Sequence, residues 1–113
     1  MINLINKIKY FIQRGKRGFS DEDVWDFNYY LSNVISKGLR QLAENKISYP
    51  INLTDEQWTD ILYKIVHGLE APIIADDNVD LEFDEWKKGL NEALNKEKKA
   101  LKLFVKYYSN LWD

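Results

Sequence analysis

The segment IIADDNVDLEFDE places Asp76, Asn78, Asp80, Glu82 and Asp84 at every second position, the spacing at which the oxygen ligands of a calcium loop converge on one cation. The pattern fails at the two positions that make such a loop work. Leu81 stands where glycine would allow the sharp turn, and Lys87 stands where a glutamate would supply two oxygens. A solvated acidic loop, with acids capping the helix that follows, accounts for the same residues. His67 is the single histidine, and no His-Glu or His-Asp pattern with the spacing of a metal site or a catalytic base accompanies it. A place near a helix end suits it without chemistry, because the last turn carries negative potential. Asp21-Glu22 and Asp55-Glu56 open helices and need no role as paired hydrolytic carboxylates. No nucleophile elbow, phosphate loop or dinucleotide fingerprint occurs. The sequence therefore predicts no enzyme, no cofactor and no metal site.

The stretch RGKRGFSDEDVWDF, Arg14 to Phe27, is the other place where residue types suggest chemistry, and here it is binding. Arg14, Lys16 and Arg17 supply three cations, while Gly15 and Gly18 leave the backbone free to approach an anion beside the amides of a helix start. Trp25 and Tyr29 fall off the main apolar stripe, so a ring could stack on a base while the cations hold phosphate. Arg14, Lys16, Arg17, Trp25 and Tyr29 are thus the candidate ligand- or partner-binding residues. Asp21, Glu22 and Asp23 supply the competing account, an ion-paired turn between two helices, which would read the same in sequence.

The elements that must carry these residues follow from length and pattern. A chain of 113 residues, 45% apolar and 14% aromatic, has the size and composition of one folded domain. The absence of cysteine removes disulfides, thiolate zinc sites and cysteine nucleophiles together, and suits a reducing compartment. The net charge of -2 conceals a division. Residues 1–19 carry five basic groups and no acid, residues 20–85 four basic and fifteen acidic groups, and residues 86–113 seven lysines and three acids. Duplex nucleic acid usually requires a dominant basic face, and the acidic middle with a pI of about 5.4 argues against that partner. MINLINKIKYFIQ is apolar on one face only, with lysines inside the apolar stretch and no cleavage site after it. Neither a signal peptide nor a membrane span is expected, and no membrane partner.

Helical periodicity runs through almost the whole chain. Leu4, Ile5, Ile8, Phe11 and Ile12 mark a short first helix that Gly15 and Gly18 should end. Ser20 is placed to cap the next helix by accepting from the Asp23 amide. Val24, Phe27, Leu31, Val34, Ile35, Leu39 and Leu42 then continue one stripe over roughly residues 21–45. After the extended Tyr49-Pro50 pair, Thr54 and Gln57 have capping-box spacing, with Leu53 and Trp58 as a hydrophobic staple. Trp58, Ile61, Leu62, Ile65, Val66 and Leu69 define a third helix closing near Ala71-Pro72. From about Phe83, Trp86, Leu90, Leu94, Leu101, Phe104, Val105, Tyr108, Leu111 and Trp112 fit a long last helix interrupted by Glu97. The expectation is an all-α single domain, residues 1–113, of about four helices with a long C-terminal helix. That last helix is too long for so small a body to cover, which favours a homo-oligomer.

RGFSDEDVWDFNYYLSNVISKGLRQLAEN, then YP, then LTDEQWTDILYKIVHGLE resembles a group of small helical proteins encoded by bacteriophages. Their shared pattern is Arg-Gly-x-Ser-Asp-x-Asp-x-Trp, an aromatic-Leu pair, Gly-Leu, Tyr-Pro and Glu-x-Trp. The likeness spans about Arg17 to Glu70 and carries no particular activity. What it implies is a viral protein made in the host cytoplasm, acting without catalysis by binding a host factor, such as one of host defence. An anionic nucleotide signal sequestered by the basic cluster is the alternative expectation, and a minor virion component a third.

Overall fold

The computed structural model describes residues 2–77 and 80–112. Among them the chain is helical with no strand, in the order α1 (Ile2–Arg17), α2 (Asp21–Trp25), α3 (Phe27–Asn45), α4 (Asp55–Asp76) and α5 (Phe83–Tyr107), followed by a 3₁₀ turn at Tyr108–Asn110. The all-α architecture with a long last helix is as expected. The chain forms two compact units, Met1–Leu31 and Ser32–Asp113.

In the first unit, α1 runs through Gly15 and stops at Gly18, a correction to the expectation that both glycines end it. Gly18 adopts φ +85°, and its amide donates to the Arg14 carbonyl at 2.9 Å, the left-handed close that glycine makes without a side-chain clash. Two residues later Ser20 caps α2. The single helix expected over roughly 21–45 is divided. Asp26, at φ -128° and ψ 60°, leaves helical geometry, and its carbonyl then accepts from the Tyr29 and Tyr30 amides to start α3.

The second unit is built around α4. Trp58, Leu62, Ile65, Val66 and Leu69 recur at three- and four-residue spacing and are at most 1% exposed. Leu39 and Ala43 of α3 and Ala100 of α5 complete the core. Thr54 caps α4 in the expected reciprocal arrangement with Gln57, and Leu53, half-buried, packs against the core as the staple requires. The expected closure near Ala71-Pro72 is not observed. Pro72 is buried inside α4, and the helix continues to Asp76. Proline in a helix interior costs about 3 kcal/mol or more, and the burial of Pro72 itself and of Ile65, Val66 and Leu69 before it offsets that loss.

Close approach of α4 and α5 depends on Gly68. A Cβ there would lie 2.4 Å from Ala100 Cβ and 2.9 Å from the Lys96 carbonyl oxygen. Beyond this contact the Trp58 and Tyr107 rings meet edge to face, 5.4 Å between centroids. An ion pair of Arg40 with Glu70 joins α3 to α4. Lys46, its side chain almost wholly covered, reaches Asp55 at 2.7 Å.

Candidate binding surfaces

The candidate basic cluster lies at the junction of α1 and α2, where helix-capping chemistry claims most of it. Ser20, fully buried, accepts from the Asp23 amide at 3.2 Å, and its own amide donates to Asp23 Oδ2 at 2.8 Å. Arg14 then closes on the same carboxylate through two donors, Nε at 2.9 Å and a terminal nitrogen at 2.6 Å. This paired fork is the strong form of a charge-assisted hydrogen bond. The Arg14 hydrogen bonds, with those from Ser20, hold the Asp23 carboxyl well below the usual carboxylate range. Asp23 in return raises the Arg14 guanidinium.

Arg17 is engaged in the same way. It donates to Asp21 at 2.6 Å and to the Phe19 carbonyl at 2.9 Å, and its guanidinium lies 4.5 Å from the Phe19 ring centroid. Gln13 exchanges two hydrogen bonds with Asp21, at 2.8 and 2.9 Å. These bonds, from Gln13 first and Arg17 second, lower the Asp21 carboxyl. The Tyr30 hydroxyl donates to the Gly18 carbonyl, and Phe27 sits between Phe19 and Tyr30 with centroids 6.1 and 6.0 Å away.

Of the five candidate residues, the geometry therefore brings Arg14 and Arg17 together as internal ion pairs. Lys16 is exposed and has no ion-pair partner among the described residues. Trp25 is 73% exposed at the end of α2, and Tyr29 is half-buried. The competing account, an ion-paired turn, describes Arg14 and Arg17 as they stand. A pattern of Ser-x-x-Asp preceded by arginine at six residues' distance is the signal for it, and it was visible in the sequence.

His67 is exposed and stacks on Tyr63 at 6.0 Å. Because α4 extends to Asp76, it is not at a helix end, a further correction. Asn78 of the alternating acids lies outside the described residues. The others are all exposed, with Asp76 closing α4, Glu82 preceding α5 and Asp84 in its first turn. Among the described residues no group of three His, Cys, Asp or Glu side chains is placed to share a metal ion.

Sequence pattern anticipated uncovered apolar residues on the last helix but not on α1. Leu4, Ile5, Ile8, Phe11 and Ile12 of α1 are all between 48% and 76% exposed. On α5 and the 3₁₀ turn that follows it, Leu94, Leu101, Val105 and Tyr108 form a second stripe, 38% to 74% exposed, beside the face that carries buried Ala93 and Ala100. Near the end of α5, Ile35, Leu39, Leu42, Phe104, Leu111 and Trp112 border an open cleft of about 490 Å³. A larger one, about 820 Å³, lies along the α4–α5 contact, with a floor of Gly68, Ala71 and Ala93 and a rim that includes Lys64, Lys96 and Lys99. No helix of the described residues is long and apolar enough to cross a membrane.

No protein-family model matches the chain, nor does any curated protein or solved structure.

Proposed function

We propose that this is a phage-encoded accessory protein that acts by binding, a homo-oligomer that occupies a host factor, with host defence as the setting. The observation that carries the reading is the exposed stripe on α5. Leu94, Leu101, Val105 and Tyr108 follow one another at seven, four and three residues, the spacing of a seam between helices. They are separate from the residues with which α5 covers the core of its own unit. An apolar row left open on a long helix, interrupted by charge only between Leu94 and Leu101, favours association with another protein surface. The cleft beside Trp112 adds a recess of the kind that receives an anchoring side chain. The engagement of Arg14 and Arg17 by Asp23 and Asp21 leaves the nucleotide alternative with less support than it has in sequence alone.

Light scattering at micromolar concentration tests the association. The expected mass is a multiple of the single chain's 13.4 kDa, and Leu101→Asp with Val105→Asp should return it to one chain with the helical signal retained. A wild-type mass of one chain would contradict the homo-oligomer. Immobilised wild-type protein should then retain a defined host protein from lysate that the Trp112→Ala variant does not.

A further inference from the structure

α1 is fastened to the rest of its unit by its polar side. At about 100° per residue, Gln13, Arg14 and Arg17 project from one side of the helix, and these are the residues that bond Asp21 and Asp23. The opposite side carries Leu4, Ile5, Ile8, Phe11 and Ile12 over an arc of about 120°. Amphipathic helices of globular proteins ordinarily turn the apolar side inward; here it is the side left open. Lys7 borders the arc along one edge, Lys9 and Lys16 border it along the other, and α1 contains no acid. All three lysines are exposed. Lys9 makes only a 3.8 Å contact with Asp21, and Lys7 and Lys16 have no ion pair among the described residues.

We propose that α1 is an interfacial helix that docks the protein on an anionic lipid surface, with its apolar arc at the acyl boundary and its edge lysines on the phosphate headgroups. Three features select this occupant. An apolar arc flanked on both edges by flexible cations is the pattern that settles at the headgroup boundary, the lysine stems lying along apolar surface and the ammonium groups reaching outward. The carboxylates of Asp21 and Asp23 are bonded to the far side of the helix, so an approaching anionic surface meets lysines first. A second copy of α1 on the same arc would bring Lys7, Lys9 and Lys16 against their counterparts, and like charges oppose that pairing. The inference rests on α1 alone, does not require the α5 seam, and departs from the expectation of no membrane partner because the apolar side of α1 is open rather than packed in the core.

The test is flotation of the full chain with vesicles of equal parts phosphatidylcholine and phosphatidylglycerol, and with vesicles of phosphatidylcholine alone, at low and at high salt. The protein should float with the anionic vesicles, bind the neutral ones about tenfold or more weakly, and be released by salt. Ile8→Glu with Phe11→Glu should abolish flotation while circular dichroism is unchanged. Lys7→Glu with Lys16→Glu leaves the arc and every ion pair of the α1–α2 junction in place, so it decides the matter should the first pair unfold; it should weaken binding about tenfold or more. Absence of flotation for the wild type, or flotation that neither substitution pair changes, overturns the proposal. Equal, salt-independent binding to both vesicle types overturns it too. So does saturable binding of a synthetic acidic amphipathic peptide on the arc without any vesicle binding, which would assign the face to a protein.

Discussion

The two units of this chain are held together by opposite means. In Ser32–Asp113 the fully buried side chains are apolar, with Trp58, Leu62, Ile65, Val66 and Leu69 at the centre. In Met1–Leu31 the buried side chains among the described residues are Ser20 and Asp23, and Leu4, Ile5, Ile8, Phe11 and Ile12 of α1 face outward. A segment shorter than about 40 residues seldom buries enough apolar surface to fold on that term alone. Here a capping box, a paired arginine–carboxylate fork and a left-handed glycine take its place, and the apolar side of α1 is left open. The lesson is that a cluster of arginines beside a helix start can be a clasp rather than a binding surface.

Substitutions should separate the two modes, beginning with the largest effect. Trp58→Ala removes a ring packed against Tyr107 in the core of the second unit and should cost about 3–5 kcal/mol in chemical denaturation. Gly68→Ala forces a Cβ to within 2.4 Å of Ala100 Cβ; overpacking of this kind should cost about 1–3 kcal/mol and lower the thermal midpoint. The caps place the units on a common scale. Ser20→Ala and Thr54→Ala should each cost about 0.5–2 kcal/mol, but amide exchange should quicken around α2 in the first and around the start of α4 in the second.

Acid should act on the first unit before the core of the second. Asp23 titrates below its ordinary range in the folded state, chiefly through the Arg14 hydrogen bonds, and Asp21 is lowered in the same direction by Gln13 and Arg17. A depressed carboxyl contributes its full stabilisation above the unfolded-chain value, about 4, and loses it as the pH falls from there through the folded value. Near-ultraviolet signals and exchange rates around α2 should therefore change below about pH 4, while the Trp58 environment persists. At the small end, Ile8→Glu on the open face of α1 should alter stability by less than about 0.5 kcal/mol.

Much of this architecture was legible where local chemistry is self-contained. Both caps could be read because each needs only residues three apart, and the α4 core face could be read because its period is unbroken over about three turns. What sequence could not convey was which face each helix covers. Val24, Phe27, Leu31 and Val34 look like the continuation of a core stripe, yet each is at least 40% exposed. Ser32 and Ser36 are buried instead, with the Ser36 hydroxyl donating to the Ser32 carbonyl at 2.5 Å. Periodicity reports that a helix has two faces, and only the arrangement of neighbours decides which is inward. The continuation of α4 through Pro72 fails to appear in sequence for the related reason that tertiary burial outweighs local propensity, and the break at Asp26 lies among exposed residues with no glycine or proline to mark it. The clasp was a matter of pairing. Its charged residues were identified as binding candidates or helix-opening acids, Gln13 was not, and only their geometry joins Arg14 to Asp23.

Native-state hydrogen exchange at neutral pH, comparing the wild type with Arg14→Gln, tests the clasp most directly. If Arg14 holds the first unit, the amides of α2 and the last turns of α1 will lose protection in the variant, while those of Leu62 to Leu69 in α4 keep theirs. Unchanged protection around α2 would contradict the clasp and return Arg14 to the pool of free binding groups; equal loss in both units would contradict the division between them.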